Sequence, residues 1–233
     1  MAAVRELTTT SYAILGLLAL RPWTTYELAQ QMTRALGQFW PRAESNLYAE
    51  PKKLVALGLA EASPEPVGKR PRTRYSITPG GRRALAAWMA TPPASAGPVL
   101  EFEALVKVFF AEDGSKDDLV AAIDGVRDWV EERIAHGAHI PRQYLQGEGP
   151  FPERLPWLIL AGTFLTEHAL AIGRWAEWAA GVVEPWPDEV RTAPPDWEAL
   201  ERMADRCDEY LRDVAARRRA GSPTGPEASG GSR

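Results

Sequence analysis

The chain has 233 residues, of which 45% are hydrophobic and 25% are charged, an ordinary composition for a globular protein of one or two domains. Its longest uninterrupted apolar runs fall short of the roughly 18 residues that a membrane span needs, and its first residues lack the apolar region of a signal peptide. The single cysteine, Cys207, excludes an internal disulfide. The sequence therefore predicts a cytoplasmic protein that has no membrane partner.

Charge is distributed unevenly along the chain. The net charge is −4 overall, but residues 1–90 carry +6 and residues 91–233 carry −10. Between the two parts, residues 91–98 are rich in Pro, Gly and Ser, which is typical of a linker. We predict a basic domain over 1–90, an acidic domain over 99–220 and a disordered tail over 221–233. A basic domain fits a nucleic-acid partner, which the charge of the whole chain would not suggest.

Three helices are predicted in the basic domain. The first spans residues 8–20, where threonines and a serine precede an apolar run. Thr24 or Thr25 caps the second, which ends near Gly37. The third runs from Ser45 to Gly58 and turns small, polar and cationic side chains outward. Pro51 lies inside this third helix, and its missing backbone N–H predicts a kink or a later start.

A hairpin and a fourth helix follow. Residues 59–62 and 72–77 have the pattern of short strands, with the cations of residues 69–74 at and beside the turn. Thr78-Pro79 then opens a helix that continues through Met89. Helix, helix, helix, hairpin and helix is the order of a winged helix-turn-helix, although each cationic surface can also be read as ordinary solvated surface.

The same region resembles the DNA-binding domain of the PadR family of transcriptional regulators. The resemblance covers residues 7–89 and rests on motifs in the family's order. These motifs are Leu7-Thr-Thr-Thr-Ser-Tyr12-Ala-Ile-Leu-Gly16, Tyr26-Glu-Leu28, Phe39-Trp40, Asn46-Leu47-Tyr48 with Lys53-Leu54, Leu57-Gly58-Leu59 and Tyr75-Ser-Ile77-Thr78-Pro79-Gly-Gly81. The sequence departs from the family at Pro51, where an aliphatic residue is usual, and at residues 23–25, where many relatives have a histidine and a glycine.

The resemblance implies a DNA-binding transcriptional regulator, usually a repressor, with a mainly α fold: a winged helix-turn-helix followed by a helical dimerisation domain. It further implies a homodimer that needs no cofactor and that releases DNA when a small, often aromatic effector binds. A winged helix that contacts another protein instead of DNA is the alternative function. The residues expected to contact double-stranded DNA are Thr25, Tyr26, Ser45, Asn46, Tyr48, Lys52, Lys53, Lys69, Arg70, Arg72 and Arg74.

The acidic part is predicted to be helical over 100–111, 116–135, 153–180 and 196–219. The last helix has an apolar heptad seam, which is typical of a helix that packs against a partner helix. We predict that this helix mediates dimerisation. The seam consists of Trp197, Leu200, Ala204, Cys207, Leu211 and Val214. The helix before it has an aromatic face that can fill a core, line a dimer interface or bind the effector. This face consists of Trp157, Phe164, His168, Trp175 and Trp178.

Catalysis and metal binding are not predicted. Glu132, His136 and His139 are the best candidates for metal ligands, because two histidines three residues apart can share a helix face. No third ligand is evident in the pattern, and the HExxH motif is absent. The sequence also lacks a phosphate-binding glycine loop and a serine–histidine–acid arrangement. We therefore predict a protein that is not an enzyme.

Overall fold

A computed structural model describes residues 7–37, 44–65, 72–92 and 100–221 of the chain. The predicted linker and tail lie almost wholly outside these ranges. The helices and strands follow in the order α1 (Thr9–Leu20), β1 (Trp23–Thr24), α2 (Thr25–Leu36), α3 (Glu44–Ala56), β2 (Ala60–Glu65), β3 (Arg72–Ile77), α4 (Pro79–Met89), α5 (Glu103–Phe109), α6 (Lys116–Leu145), α7 (Leu155–Val183) and α8 (Trp197–Gly221).

The chain divides into two compact units. The first consists of Met1–Glu101 and Arg133–Leu170, and the second consists of Phe102–Glu132 and Ala171–Arg233. The first unit contains the winged helix, whose core is built from Ile14, Leu15 and Leu18 of α1 with residues of α2, α3 and the sheet. The structure thus has the mainly helical fold, with a small sheet, that the sequence predicts.

The first two helices begin at threonine caps, as predicted. The Thr8 hydroxyl accepts from the backbone N–H of Ser11, and the Thr24 hydroxyl accepts from that of Glu27, each at 3.3 Å. These bonds satisfy N–H groups that a helix start leaves unpaired. Gly37 stands at the C-cap of α2, as the sequence indicates.

A short strand that the sequence did not reveal lies before α2. Residues Trp23 and Thr24 form β1, which pairs with β3 so that the strand order is β1-β3-β2, all antiparallel. Trp23 is 1% exposed, and its indole N–H donates to the Leu17 carbonyl at 2.8 Å. Two residues are too few to show an alternating pattern, which is why periodicity did not predict this strand.

Helix α3 continues through Pro51 without a break, from Glu44 to Ala56, so it does not start later. Leu47, Pro51 and Leu54 are all buried, which confirms the predicted inward face. A proline in a helix loses one hydrogen bond, and burial of its ring in the core offsets part of that cost. The departure from the family pattern at Pro51 therefore leaves the outward residues on the face that the sequence predicts.

Gly81 of α4 lies so close to the hairpin that a larger residue does not fit. A Cβ at this position would overlap the Leu59 carbonyl oxygen and lie 2.8 Å from Ile77 Cγ1. We expect Gly81→Ala to lower the free energy of unfolding by about 2 kcal/mol through overpacking. The matched variant Gly80→Ala would meet only ordinary contacts, 3.4 Å from Thr78 Oγ1 and 3.5 Å from the Gly58 oxygen.

Urea unfolding of the two glycine variants tests this packing. Gly80→Ala should change the free energy of unfolding by less than about 1 kcal/mol, since alanine favours a helix. Equal losses in the two variants would contradict the close contact between α4 and the hairpin.

Helix α6 is longer than predicted. The sequence indicated an end near residue 135 because Gly137 and Pro141 weaken a helix, but α6 runs to Leu145. Half-buried Gly137, Ile140 and Tyr144, spaced at i, i+3 and i+7, continue one face along its second half. Packing of such a face contributes more to helix stability than local propensity does, so the helix passes both residues.

The connection between α6 and α7 packs on the winged helix. Phe151 joins the core of the winged helix, with its ring centroid 6.1 Å from that of Trp23. Among the described residues other than glycine, Phe151 is the one with a positive φ, 56°. Burial of its ring offsets the cost of this backbone conformation.

The second unit has a core of its own between α6 and α7. Leu119, Ile123 and Val126 of α6 pack against Ala176 and neighbouring small residues of α7. Lys116 caps the end of α7 by donating from Nζ to the carbonyl oxygens of Glu184 and Trp186, at 2.8 and 2.7 Å. This core orders the first half of α6 and the second half of α7.

Helix α7 leaves much apolar surface exposed. Together with the turn before it, Pro152–Val183, it is long and apolar enough to cross a membrane by length and composition alone, and 6% of its most apolar stretch is buried. The length of the uninterrupted apolar runs did not reveal this apolar helix, because scattered polar residues divide the runs. A helix that packs against another protein can be equally long and apolar, so length and composition do not show that α7 spans a membrane.

Candidate nucleic-acid interface

The outward surface of the helix-turn-helix consists of the start of α2 and the outer face of α3. Tyr26 is 65% exposed and Tyr48 is 40% exposed, and Lys52 is exposed one turn beyond Tyr48. Among the described residues, no ion pair of Lys52 occurs. This surface offers aromatic hydroxyls and a cation, the groups that bind phosphate oxygens and base edges.

A buried polar contact fixes α3 against α1. The Ser11 hydroxyl, which is fully buried, donates to the carboxylate of Glu50. Glu50 also pairs with Lys53, whose Nζ lies 3.3 Å from Glu50 Oε1. The side chains of Lys53 and Glu50 are 34% and 14% exposed. Lys53 therefore helps to fix α3 through its ion pair with Glu50, whereas the side chain of Lys52 is exposed.

Sequence reasoning missed Glu50. The spacing of Glu50 and Lys53, three residues apart on a helix, is a signal of an ion pair. Its hydroxyl partner, Ser11, is 39 residues away, so no local pattern indicates the contact.

The two arginines of β3, Arg72 and Arg74, have different surroundings. Arg72 is exposed, whereas Arg74 is half-buried and pairs with Glu65 across the hairpin, with Nη2 2.7 Å from Oε1. The Nη1 of Arg74 donates to the Pro22 carbonyl at 3.1 Å. The hydrogen bond that Arg74 donates to the Glu65 carboxylate raises the pKa of Arg74. Arg74 thus ties the hairpin to the entry of α2, and Arg72 is the available cation of this strand.

The start of α2, which carries Tyr26, is fixed by charge and hydrogen bonds. The carboxylate of Glu27 accepts from the Thr24 backbone N–H at 2.7 Å and lies 3.8 Å from the Arg21 guanidinium. The bond from Thr24 holds the pKa of Glu27 below its usual value, and Arg21 lowers it further. The Arg21 guanidinium stacks 3.5 Å from the centroid of the Trp23 ring. Tyr26 is therefore presented from a rigid turn.

The remaining predicted DNA contacts have different places in the chain. Thr25 is the first residue of α2 and is half-buried, and Ser45 and Asn46 lie in the first turn of α3. Lys69 and Arg70 lie outside the described residues. Helices α2 and α3 contact each other, so the start of α2 and the outer face of α3 belong to the same part of the winged helix.

The predicted dimer seam has few contacts within the chain. Trp197 is 71% exposed, Leu200 49% and Leu211 62%. Ala204 and Cys207 are also exposed, and Val214 is half-buried. An apolar seam of this kind is the surface that a partner helix covers.

The aromatic face of α7 separates into residues with different surroundings. Trp157, Phe164 and Trp178 are more than half exposed. Phe164 stacks on His168 with parallel rings 6.2 Å apart. Trp175 packs edge-on against Phe102 at 6.1 Å and belongs to the core of the second unit. These five residues therefore do not share one environment.

Within the described part of the chain, no cluster of three or more His, Cys, Asp or Glu side chains could hold a metal ion. This includes Glu132, His136 and His139, which lie along α6. The first unit instead contains a winged helix, with a helix-turn-helix, a hairpin and an exposed polar and cationic face.

The fold and the site define the winged helix-turn-helix class of regulators. Residues 14–87 match the model of the transcriptional regulator PadR-like family. Over these residues the chain is therefore similar to the PadR-like family of transcriptional regulators.

Known proteins resemble the chain beyond this domain. The negative transcriptional regulator PadR of Bacillus subtilis is 28% identical over 134 residues, which are 57% of this chain and 71% of that protein. A crystal structure of Bacillus subtilis PadR in complex with operator DNA aligns with a TM-score of 0.63 at 22% identity, over 76% of this chain and 100% of that one. A structure of the same protein with p-coumaric acid aligns with a TM-score of 0.58 at 23% identity, over 75% and 98%. These structures share the fold of this chain.

Proposed function

We propose that the protein is a transcriptional repressor that binds double-stranded operator DNA through its winged helix. The observation that carries the proposal is the PadR-like domain with an outward face of Tyr26, Tyr48 and Lys52, all exposed. Related PadR of Bacillus subtilis is a negative regulator, and its structure holds operator DNA. A regulator of this kind acts where the DNA is, in the cytoplasm, and needs no catalytic activity.

The contacts to DNA fall into two groups. Helix α3 enters the major groove, where Tyr48 and the first turn, with Ser45 and Asn46, reach base edges. Lys52 and Arg72 neutralise DNA phosphates, and Tyr26 at the start of α2 forms a hydrogen bond with the DNA backbone. Lys69 and Arg70 are proposed to contact phosphate beside the minor groove.

The working unit is proposed to be a homodimer. Its support is the exposed seam of α8 together with the apolar surface of α7, where Leu160 is 69% exposed and Phe164 is 58% exposed. A second copy would remove these surfaces from water. Two winged helices in one dimer then address two half-sites of a symmetric operator.

A small aromatic compound is proposed to modulate DNA binding. Bacillus subtilis PadR has been crystallised with p-coumaric acid. The aromatic face of α7 remains one candidate for its site, because indole rings stack on flat ligands. An effector can shift the DNA-binding equilibrium only when it binds the free and DNA-bound states with different affinity.

A gel shift with the DNA upstream of the gene that encodes the protein tests the proposal. We expect a discrete complex that unlabelled copies of the same DNA displace and that unrelated DNA of equal length does not. Equal displacement by both, or no complex, together with tight binding to a protein partner, would favour the alternative of a protein-interaction module.

A further inference from the structure

Four charged side chains of alternating sign lie between the start of α2 and the wing, which is the hairpin of β2 and β3. In order they are Arg21, Glu27, Arg74 and Glu65. In the first pair, Arg21 Nη2 lies 3.8 Å from Glu27 Oε1. In the second pair, Arg74 Nη2 lies 2.7 Å from Glu65 Oε1. The first pair belongs to the entry and first turn of α2, and the second pair joins the two strands of the wing.

Arg74 connects the two pairs. It lies opposite Thr24 of β1 in the sheet, and its Nη1 donates to the Pro22 carbonyl at 3.1 Å. The hydrogen bond from Thr24 is the main cause that lowers the pKa of Glu27, and the charge of Arg74 lowers it further. One guanidinium therefore joins the wing, through Glu65, to the turn that begins α2.

The exposure of these side chains indicates a role in geometry more than in stability. The side chains of Arg74 and Glu65 are 29% and 30% exposed, and ion pairs at such exposure contribute little to the free energy of unfolding. A guanidinium nevertheless fixes direction, because its planar N–H donors point at set angles. Arg74 uses two of its nitrogens for acceptors in two different segments.

We infer that Arg74 is a positioning residue, which through Glu65 fixes the wing relative to α2 so that Arg72 and Tyr26 reach the DNA together. This inference rests on the proposed function, because it concerns how the wing meets DNA. It gives Arg74 a different role from exposed Arg72, the cation of the same strand that is proposed to bind phosphate.

The charge of Glu65 makes the sign of the effect informative. A carboxylate near DNA repels phosphates, so its removal alone should strengthen binding. If Glu65 instead positions the wing through Arg74, its removal should weaken binding, since Arg72 would no longer be held against the DNA backbone.

Fluorescence anisotropy with the upstream DNA of the gel shift, over a series of salt concentrations, tests this with Glu65→Gln. We expect the affinity to fall about tenfold and the slope of log affinity against log salt to lose up to about 1.8, the contribution of Arg72 in both subunits of a dimer. The variant removes no cation, so a loss of stability alone would leave this slope unchanged. The matched control is Glu61→Gln, because Glu61 is exposed on the same strand and lies outside the network. It should bind DNA at least as tightly as the parent.

A second variant separates positioning from direct contact. Arg74→Gln should lose affinity to the same extent as Glu65→Gln, and the double variant should lose no more than either, because the two residues act as one pair. Tighter binding of Glu65→Gln would overturn the inference. An additive loss in the double variant would also overturn it, by showing that Arg74 itself contacts DNA.

Amide hydrogen exchange of the full chain without DNA tests the network independently of the proposed function. Glu65→Gln should speed exchange of the Thr24 N–H at least about threefold, although this N–H donates to Glu27 and lies in another segment. Glu61→Gln should leave that rate unchanged. Unchanged exchange at Thr24 in Glu65→Gln would overturn the inference even if the protein binds DNA. A parent chain that forms no complex with DNA would instead contradict the proposed function.

Discussion

Replacing Lys52 by glutamine is expected to flatten the salt dependence of operator binding, whereas replacing Lys53 should hardly change it. Each phosphate contact contributes about 0.9 to the slope of log affinity against log salt. A dimer that loses Lys52 from both winged helices should therefore lose about 1.8 from that slope. Lys53 differs because its Nζ already lies 3.3 Å from Glu50 in the free protein.

The Lys53 variant should show its effect in stability instead. Without Lys53, the carboxylate of Glu50 keeps its hydrogen bond from Ser11 but loses its cation. This ion pair, in which Lys53 is 34% exposed and Glu50 is 14% exposed, contributes on the order of 1 kcal/mol. Fluorescence anisotropy over a series of salt concentrations measures the slopes, and urea unfolding measures the stabilities. Equal flattening in both variants would contradict the division of roles along α3.

Charging the seam of α8 is expected to abolish the dimer. Leu200→Asp combined with Leu211→Asp places two carboxylates on the apolar seam, where a partner helix would have to bury them. Both positions are about half exposed or more in the single chain, so the subunit itself should still fold. Operator affinity should fall at least about a hundredfold, since the two half-sites would be bound independently.

The matched control for the seam is Ala216→Asp combined with Ala220→Asp. These positions lie on the opposite face of α8, at 100° per residue, and are exposed. This variant should remain a dimer in sedimentation and should bind the operator like the parent. A dimer that survives the seam variant would instead assign the association to the exposed surface of α7.

Local signals predicted much of the winged helix. Thr8, Thr24 and Thr78 each precede a helix and cap it, and β3 has the predicted bounds. These features depend on short-range hydrogen bonds and on periodicity, which the sequence displays directly.

Features set by distant residues could not be predicted. The strand β1 exists because Trp23 pairs with Tyr75, and Glu50 is fixed by Ser11 from another helix. The end of α6 depends on packing that outweighs Gly137 and Pro141.

Amide hydrogen exchange with and without operator DNA tests the central claim most directly, because it locates the DNA on the protein. We predict slower exchange over Glu44–Ala56, at the start of α2 and in β3 when operator is added, and a smaller effect with unrelated DNA of the same length. Protection confined to the helices after α4, or no change in α3, would contradict DNA binding by this winged helix.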